Sequence, residues 1–327
     1  MKRILVLEFL SGGGLDIAAP DVVDRELLAA GVAMRDAIVA DLLALDGVQV
    51  SVASAPGMPV PPISPAATHV APAPGETVEA FVRRLAPAHD ASWIVAPETG
   101  GALARLHAAV GGARWIGCES AAIAVATSKS ATLAHLRARG VPTPLDFVAG
   151  HRGRWVVKPD DGAGTLATRV HADRARAWDD LAARHAAGAS ATLEPFVEGE
   201  ALSISMIVGA NLAAPARIVA LNRQSIATDA EGWLRDDGVQ SAAIGHDDAR
   251  APALRALACE VADAMPGLRG FVGIDLIWNE ERGPVLIEVN PRVTLAYVGL
   301  SRKVGRRLAA DVLRCAGIAE ASDAVAG

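Results

Sequence analysis

Strand-length and helix-length apolar segments alternate through the first third of the chain, and short strands dominate the rest. Together these predict an α/β protein, parallel in its N-terminal part and α+β in its C-terminal part. A length of 327 residues adds a third constraint, asking for two or three lobes around a shared cleft rather than one small core. The alternation starts with the apolar run Arg3 to Phe9, which ends at Ser11-Gly12-Gly13-Gly14. Helical periodicity follows from about Val22 to Leu45, then a strand over Val48 to Ala53. Pro and Ala crowd Pro56 to Pro74, which excludes a regular helix and leaves a loop or connector with a strand near His69 to Ala71. A helix over Thr77 to Leu85, a strand over Ser92 to Ala96, a helix over Gly101 to Val110 and a strand over Trp115 to Cys118 complete a first domain, residues 1–126.

Beyond it the pattern changes. Ser128 to Arg139 reads as a helix, with Ser128 as N-cap and Gly140 as its stop. Val141-Pro142-Thr143-Pro144 is an extended linker. Strands are expected at Trp155 to Lys158, Thr168 to Val170, Thr192 to Val197, Ala201 to Val208 and Ile218 to Leu221, with a hairpin turn at Gly209-Ala210-Asn211. A helix over Asp248 to Ala264 precedes the hairpin Gly270 to Trp278 and Pro284 to Val289, turning at Glu280 to Gly283. A last helix is expected over Arg302 to Cys315, and a frayed tail after Ala319.

Composition narrows the function classes. No run of ~18 apolar residues is present to span a bilayer, and Glu8 interrupts the N-terminal apolar run too early for a signal peptide. A formal charge of −6 with Arg scattered among acids offers no field for nucleic acid. Cys118, Cys259 and Cys315 are far apart and odd in number, which reads as reduced thiols of a cytoplasmic protein, buried as small hydrophobes. Neither Cys nor His shows a zinc spacing.

Chemistry concentrates in the last hairpin, G-F-V-G-I-D-L-I-W followed by V-L-I-E-V-N-P-R. Strand side chains alternate, so Glu288 and Asn290 share a face, and pairing of the two strands brings Asp275 to it. Two carboxylates and an amide oxygen among apolar neighbours suit a hard cation such as Mg²⁺ or Mn²⁺ shared with phosphate groups. In W-V-V-K-P-D-D-G-A-G-T, Lys158 ends an apolar strand and precedes Gly162 and Gly164, a phosphate cradle or a plain hairpin turn. In L-E-P-F-V-E-G-E, Glu194 and Glu200 flank a turn that Pro195 keeps off a central ladder. Arg223 could hold a substrate carboxylate or phosphate, or be an exposed edge arginine. Glu8 and Glu98, at the carboxyl ends of parallel strands, could meet an amine.

The ordered set Lys129, Lys158, Gly loop, E-P-F-V-x-G-E, G-I-D and E-V-N-P-R resembles the ATP-grasp superfamily over about residues 128 to 305, and the first domain resembles the preATP-grasp domain. This resemblance implies a small lobe over residues 127–194 and a large lobe with the metal site over residues 195–327. It implies that Lys129 and Lys158 contact ATP phosphates, under a Gly loop from Asp161 to Thr165 with Gly162, Ala163 and Gly164 at its centre. Glu194, Pro195, Phe196 and Val197 would form the adenine hinge, Glu200 would bind the ribose, and Asp275, Glu288 and Asn290 would hold magnesium. Arg292 would stabilise the phosphoryl group in flight. Gly273 stands where D-alanine ligase-like members carry a substrate arginine, which argues against that specificity. The implied activity is an ADP-forming carboxylate–amine ligase working through an acyl phosphate, with a nucleotide-binding regulator, a kinase or a carboxylase as alternatives. Dimerisation through the first domain is usual in such relatives.

Four further stretches, A-P-E-T-G-G, C-E-S-A-A-I, L-N-R-Q and N-P-R-V-T-L-A-Y-V-G-L, resemble the tyramine–glutamate ligase group of methanofuran biosynthesis, with counterparts in methylofuran biosynthesis and one-carbon metabolism. By that resemblance the substrates would be glutamate and tyramine, tyrosine or a related amine.

Overall fold

The computed structural model describes residues 1–14, 25–59, 67–162, 164–209 and 216–318. The first unit contains β1 (Lys2–Glu8), α1 (Arg25–Leu43), β2 (Val48–Ala53), β3 (Ala67–Val70), α2 (Val78–Leu85), β4 (Ala91–Val95), α3 (Ala102–Val110), β5 (Trp115–Ile116) and α4 (Ser120–Thr127). Its five strands pair in parallel in the order β3-β2-β1-β4-β5. β4 is buried throughout and β1 from Ile4 to Glu8, as expected of central strands in a parallel sheet covered on both faces. On α1 the buried positions Gly31, Arg35, Ile38, Val39 and Leu42 follow the helical period. Gly31 packs against the Glu8 carboxyl, and a Cβ there would come within 2.6 Å of its carbon and require that side chain to shift.

α5 (Lys129–Arg137) then leads out of this unit, capped by Ser128, whose hydroxyl accepts from Ala131 N. A small antiparallel sheet follows, made of β6 (Trp155–Pro159), β7 (Arg169–His171) and β8 (Ala191–Pro195) in the order β7-β6-β8, with α6 (Arg174–Ala186) against it. The larger antiparallel sheet has β9 (Glu200–Val208), β10 (Arg217–Thr228), β11 (Leu234–Ile244), β12 (Gly270–Asn279) and β13 (Gly283–Asn290), ordered β11-β10-β9-β12-β13. α7 (Ala251–Ala264), α8 (Leu300–Lys303) and α9 (Leu308–Cys315) complete the described chain.

Several expectations are corrected. The strand placed at Ile218 to Leu221 extends to Thr228 and pairs with β11, which was not foreseen. α4 and α6 were also missed. The last helix is two short ones, separated between Lys303 and Leu308. Cys118 is buried and Cys315 partly so, but Cys259 is exposed, because α7 turns Leu254, Leu257, Ala258 and Val261 inward and leaves 259 outside. The turn residues Ala210 and Asn211 and the tail after Ala319 lie outside the described residues.

The units share their cores. One apolar cluster joins Ile4, Val6, Ile38 and Trp93 of the first unit to Phe271, Tyr297, Leu308 and Val312 near the C-terminus. A second joins Leu103, Leu106 and Ile123 to Leu202, Ile204, Leu254 and Val289.

Candidate active site

Between the small sheet and the large one lies a cleft of ≈ 310 Å³, at the lower end of the ~300–1,000 Å³ typical of ligand pockets. Val156, Val197, Leu276 and Ile287 supply apolar walls; Lys129, Lys158, Asp275 and Glu288 supply charge. An apolar slot ending in cations and carboxylates matches a planar base joined to a polyphosphate.

The acidic end follows from strand register. β12 and β13 set Asp275 opposite Glu288 and Gly273 opposite Asn290, and directly opposed residues share a face. Asn290 Nδ2 donates to Asp275 Oδ2 at 2.9 Å, and Gln224 Nε2 donates to Asp275 Oδ1 at 2.9 Å. Lys129 Nζ donates to Glu288 Oε1 at 2.7 Å. Burial first, then the neighbouring Glu288 charge, push the Asp275 carboxyl up to about 7. No cluster of three or more His, Cys, Asp or Glu suited to a metal occurs among the described residues. The donor set here is two carboxylates and one amide, all hard oxygen ligands that fit Mg²⁺ or Mn²⁺ and no softer metal.

Both lysines are held by buried contacts. Lys129 opens α5 and reaches Glu288 and the Gly162 carbonyl. Asp160 anchors that helix end, accepting from Ser128 Oγ at 2.6 Å and Ser130 N at 2.8 Å. Although burial works against the charge, these bonds hold the Asp160 carboxyl below the usual range. Lys158, the penultimate residue of β6, pairs with Glu194 on β8 at 2.6 Å, each about 5% exposed. Glu194 Oε2 is buried without a partner among the described residues. A buried carboxylate oxygen of this kind requires a donor, which a ligand amino or hydroxyl group in the cleft would supply. Pro195, Phe196 and Val197 line the slot beside it, and Arg154 stacks 4.0 Å over the Phe196 ring. Of the Gly loop, Gly164 and Thr165 line the cleft; Gly162 packs under it, where a Cβ would meet Pro159 at 2.9 Å. Ala163 lies outside the described residues.

The remaining sequence candidates are placed differently. Glu200 accepts from Arg223 and Arg250, so the residue expected at the ribose and the one expected at a substrate anion are bound to each other, and neither lines the cleft. Glu8 points into the first unit, accepting from Leu10 N at 2.9 Å and Ser11 N at 2.8 Å, with its carboxyl raised by burial. Glu98 and Arg292 form a buried bidentate pair, Arg292 Nε to Oε1 at 3.0 Å and Nη2 to Oε2 at 2.9 Å. Gly273 leaves no room for an arginine, since a Cβ would stand 2.5 Å from Thr294 Cγ2.

Gln224, Ile226 and Thr228 also line the cleft and were not singled out. Their alternate spacing with Asn222 was the available signal. Asn222 is itself fully buried, bonded to Ser203, Ser205 and the Ala242 amide.

Comparison with known proteins agrees with this geometry. The pre ATP-grasp 3 domain family matches residues 48–123, and the ATP-grasp domain family matches residues 126–296. The tyramine–L-glutamate ligase of Methanocaldococcus fervens is 32% identical over 188 residues, 57% of this chain and 52% of that protein. The chain thus matches about half the length of this curated relative. Among solved structures, D-alanine–D-alanine ligase from Bacillus anthracis superposes with TM-score 0.64 at 13% identity, covering 97% of each chain. L-amino acid ligase from Bacillus licheniformis gives 0.64 at 15% identity, covering 97% of this chain and 74% of the other. At such identities these two speak for the fold alone. With the domain match spanning more than half of its residues, the chain belongs to the ATP-grasp family.

Proposed function

We propose that this protein is an ATP- and Mg²⁺-dependent carboxylate–amine ligase of the cytoplasm. Its first substrates to test are L-glutamate and tyramine, or tyrosine, as in methanofuran- or methylofuran-type cofactor synthesis. The observation that carries the reading is the meeting of Asp275, Glu288 and Asn290 with Lys129 at the polar end of the cleft. Kinship with a tyramine–L-glutamate ligase supports the substrate class.

In the reaction, a carboxylate oxygen attacks the γ-phosphorus of ATP; the β–γ bond breaks and ADP leaves. The amine nitrogen then attacks the acyl-phosphate carbon, phosphate departs and the nitrogen loses a proton, leaving an amide. Asp275, Glu288 and Asn290 would hold Mg²⁺ or Mn²⁺, which when bound neutralises phosphate oxygens. Lys129 and Lys158 bind the phosphates, Arg292 faces charge developing on the transferring group, and the Gly loop excludes water from the acyl phosphate. Positioning does most of the work. An ADP-release assay over panels of amino acids and amines tests this. Turnover that needs both partners is expected; phosphate transfer to one partner alone would make the protein a kinase, and tight ATP binding without turnover a regulator. Glu288→Gln should abolish ADP release while leaving the thermal unfolding profile near that of the wild type; near-normal release would refute the metal assignment.

A further inference from the structure

We propose that Glu98 is a positioning residue that aims Arg292 at the phosphoryl-transfer site, so that the first domain completes the active site of the other two lobes. The inference rests on the ligase reading above and deepens it.

Glu98 follows β4 at the carboxyl end of the parallel sheet, 194 positions before Arg292, and is only 2% exposed. Both its oxygens accept from Arg292, in the fork geometry that fixes a guanidinium plane. Without Glu98 this side chain would have other anions to follow, because it lies two residues past Asn290, whose amide bonds Asp275, itself paired with Glu288. An arginine drawn onto those carboxylates would compete with their cation and lie away from the transferring group. Glu98 holds it off them.

The same turn touches the other side of the phosphate site. Gly100 N donates to Asp161 Oδ2 at 2.9 Å, and Arg105 Nη1 binds the Gly100 carbonyl. Gly100 and Gly101 both have positive φ, 59° and 71°, which lets the chain turn sharply enough for residue 98 to point one way and the amide of residue 100 another. One five-residue segment, Pro97 to Gly101, therefore anchors the arginine and the start of the Gly loop together. With both carboxylate oxygens occupied by Arg292, direct recognition of an amine substrate by Glu98 is the weaker alternative.

The two roles separate experimentally. Positional isotope exchange in ATP labelled at the β–γ bridge oxygen, with L-glutamate (or whichever carboxylate supports turnover) and no amine, reports the phosphoryl step alone. Glu98→Gln should slow this exchange and kcat on the order of 10- to 100-fold, the effect expected of a misaimed group. The KM for ATP and for the amine should stay within about 2-fold. Glu98→Asp, which keeps the charge on a shorter arm, should recover part of the rate and serves as the test should the Gln variant fold poorly. In the metal-free, nucleotide-free protein, the Arg292 Nε–H resonance, assigned by its loss in Arg292→Lys, should be sharp in the wild type and broadened in Glu98→Gln. Unchanged exchange with a raised KM for the amine would overturn the proposal in favour of amine binding, and a resonance unaffected by the substitution would overturn it too. Should no substrate pair support turnover while the resonance still broadens, the ligase reading fails and the anchoring of Arg292 by Glu98 stands.

Discussion

At Asp275 a half-buried carboxylate faces Glu288 across the strand pair and accepts from the Gln224 and Asn290 amides. Its carboxyl is raised from 3.8 to about 7, by burial and then by Glu288. In the metal-free protein the folded state therefore keeps a proton that the unfolded chain releases. Stability from this site is full below about pH 3.8 and is lost as pH rises through about 7. Asp275→Asn cannot ionise, so the difference in unfolding midpoint between variant and wild type should widen in the variant's favour from pH 5 to pH 8. Excess Mg²⁺ should narrow it again by stabilising only the wild type. A difference independent of pH would refute the assignment. Residue roles of this kind were half legible in the sequence. Strand alternation brought Asp275, Glu288 and Asn290 together, but Gln224 lies past Leu221, where the apolar run that marks this strand in the sequence gives out.

Among elements, the β10–β11 hairpin links the two lobes. Its tip bonds to the small sheet, Val170 N to Gly232 O at 2.7 Å and Leu234 N to Thr168 O at 2.9 Å. Arg169 stacks 5.0 Å over Trp233 in the same clasp. Gly232 sits at φ +90°, and a Cβ there would stand 2.3 Å from the Val170 carbonyl oxygen. Gly232→Ala combines left-handed strain with that clash, so a loss of about 1–3 kcal/mol is expected. It should appear as faster amide exchange at Val170 and Leu234, with core strands such as β12 unaffected. Protection unchanged at those two amides would show that the clasp does not depend on Gly232. The hairpin escaped sequence reading because Leu234 to Ile244 is mostly exposed and carries Arg235, Asp236, Asp237 and Gly238 in place of an apolar alternation. α6 escaped for the same reason, with Ala177 its one buried residue.

For the molecule as a whole, the shared cores make the first domain and the C-terminal elements one cooperative body. Tyr297 stands at this junction. Its ring meets Trp93 edge-on at 6.0 Å and Phe271 at 5.1 Å, and its hydroxyl donates to Asp41 of α1 at 2.8 Å. Burial raises the Asp41 carboxyl despite bonds from Ser301 and Tyr297. Tyr297→Phe leaves that carboxyl one donor short, at an expected cost of about 1–3 kcal/mol. Calorimetry should show a single transition moved to lower temperature. Two transitions, with only one of them moved, would mean that the domains unfold separately.

By itself the sequence determined the α/β order of the first domain, the strand-borne acids of the last hairpin and the succession of motifs that marks an ATP-grasp chain. Each of these is written in local periodicity or in residues close along the chain, where side-chain direction follows from backbone geometry alone. Only the tertiary structure decided that Arg223 answers Glu200 and that Glu98 reaches across 194 positions to Arg292. Ion pairs between distant segments depend on how whole sheets pack, and a charged residue carries no local mark of the partner it will find.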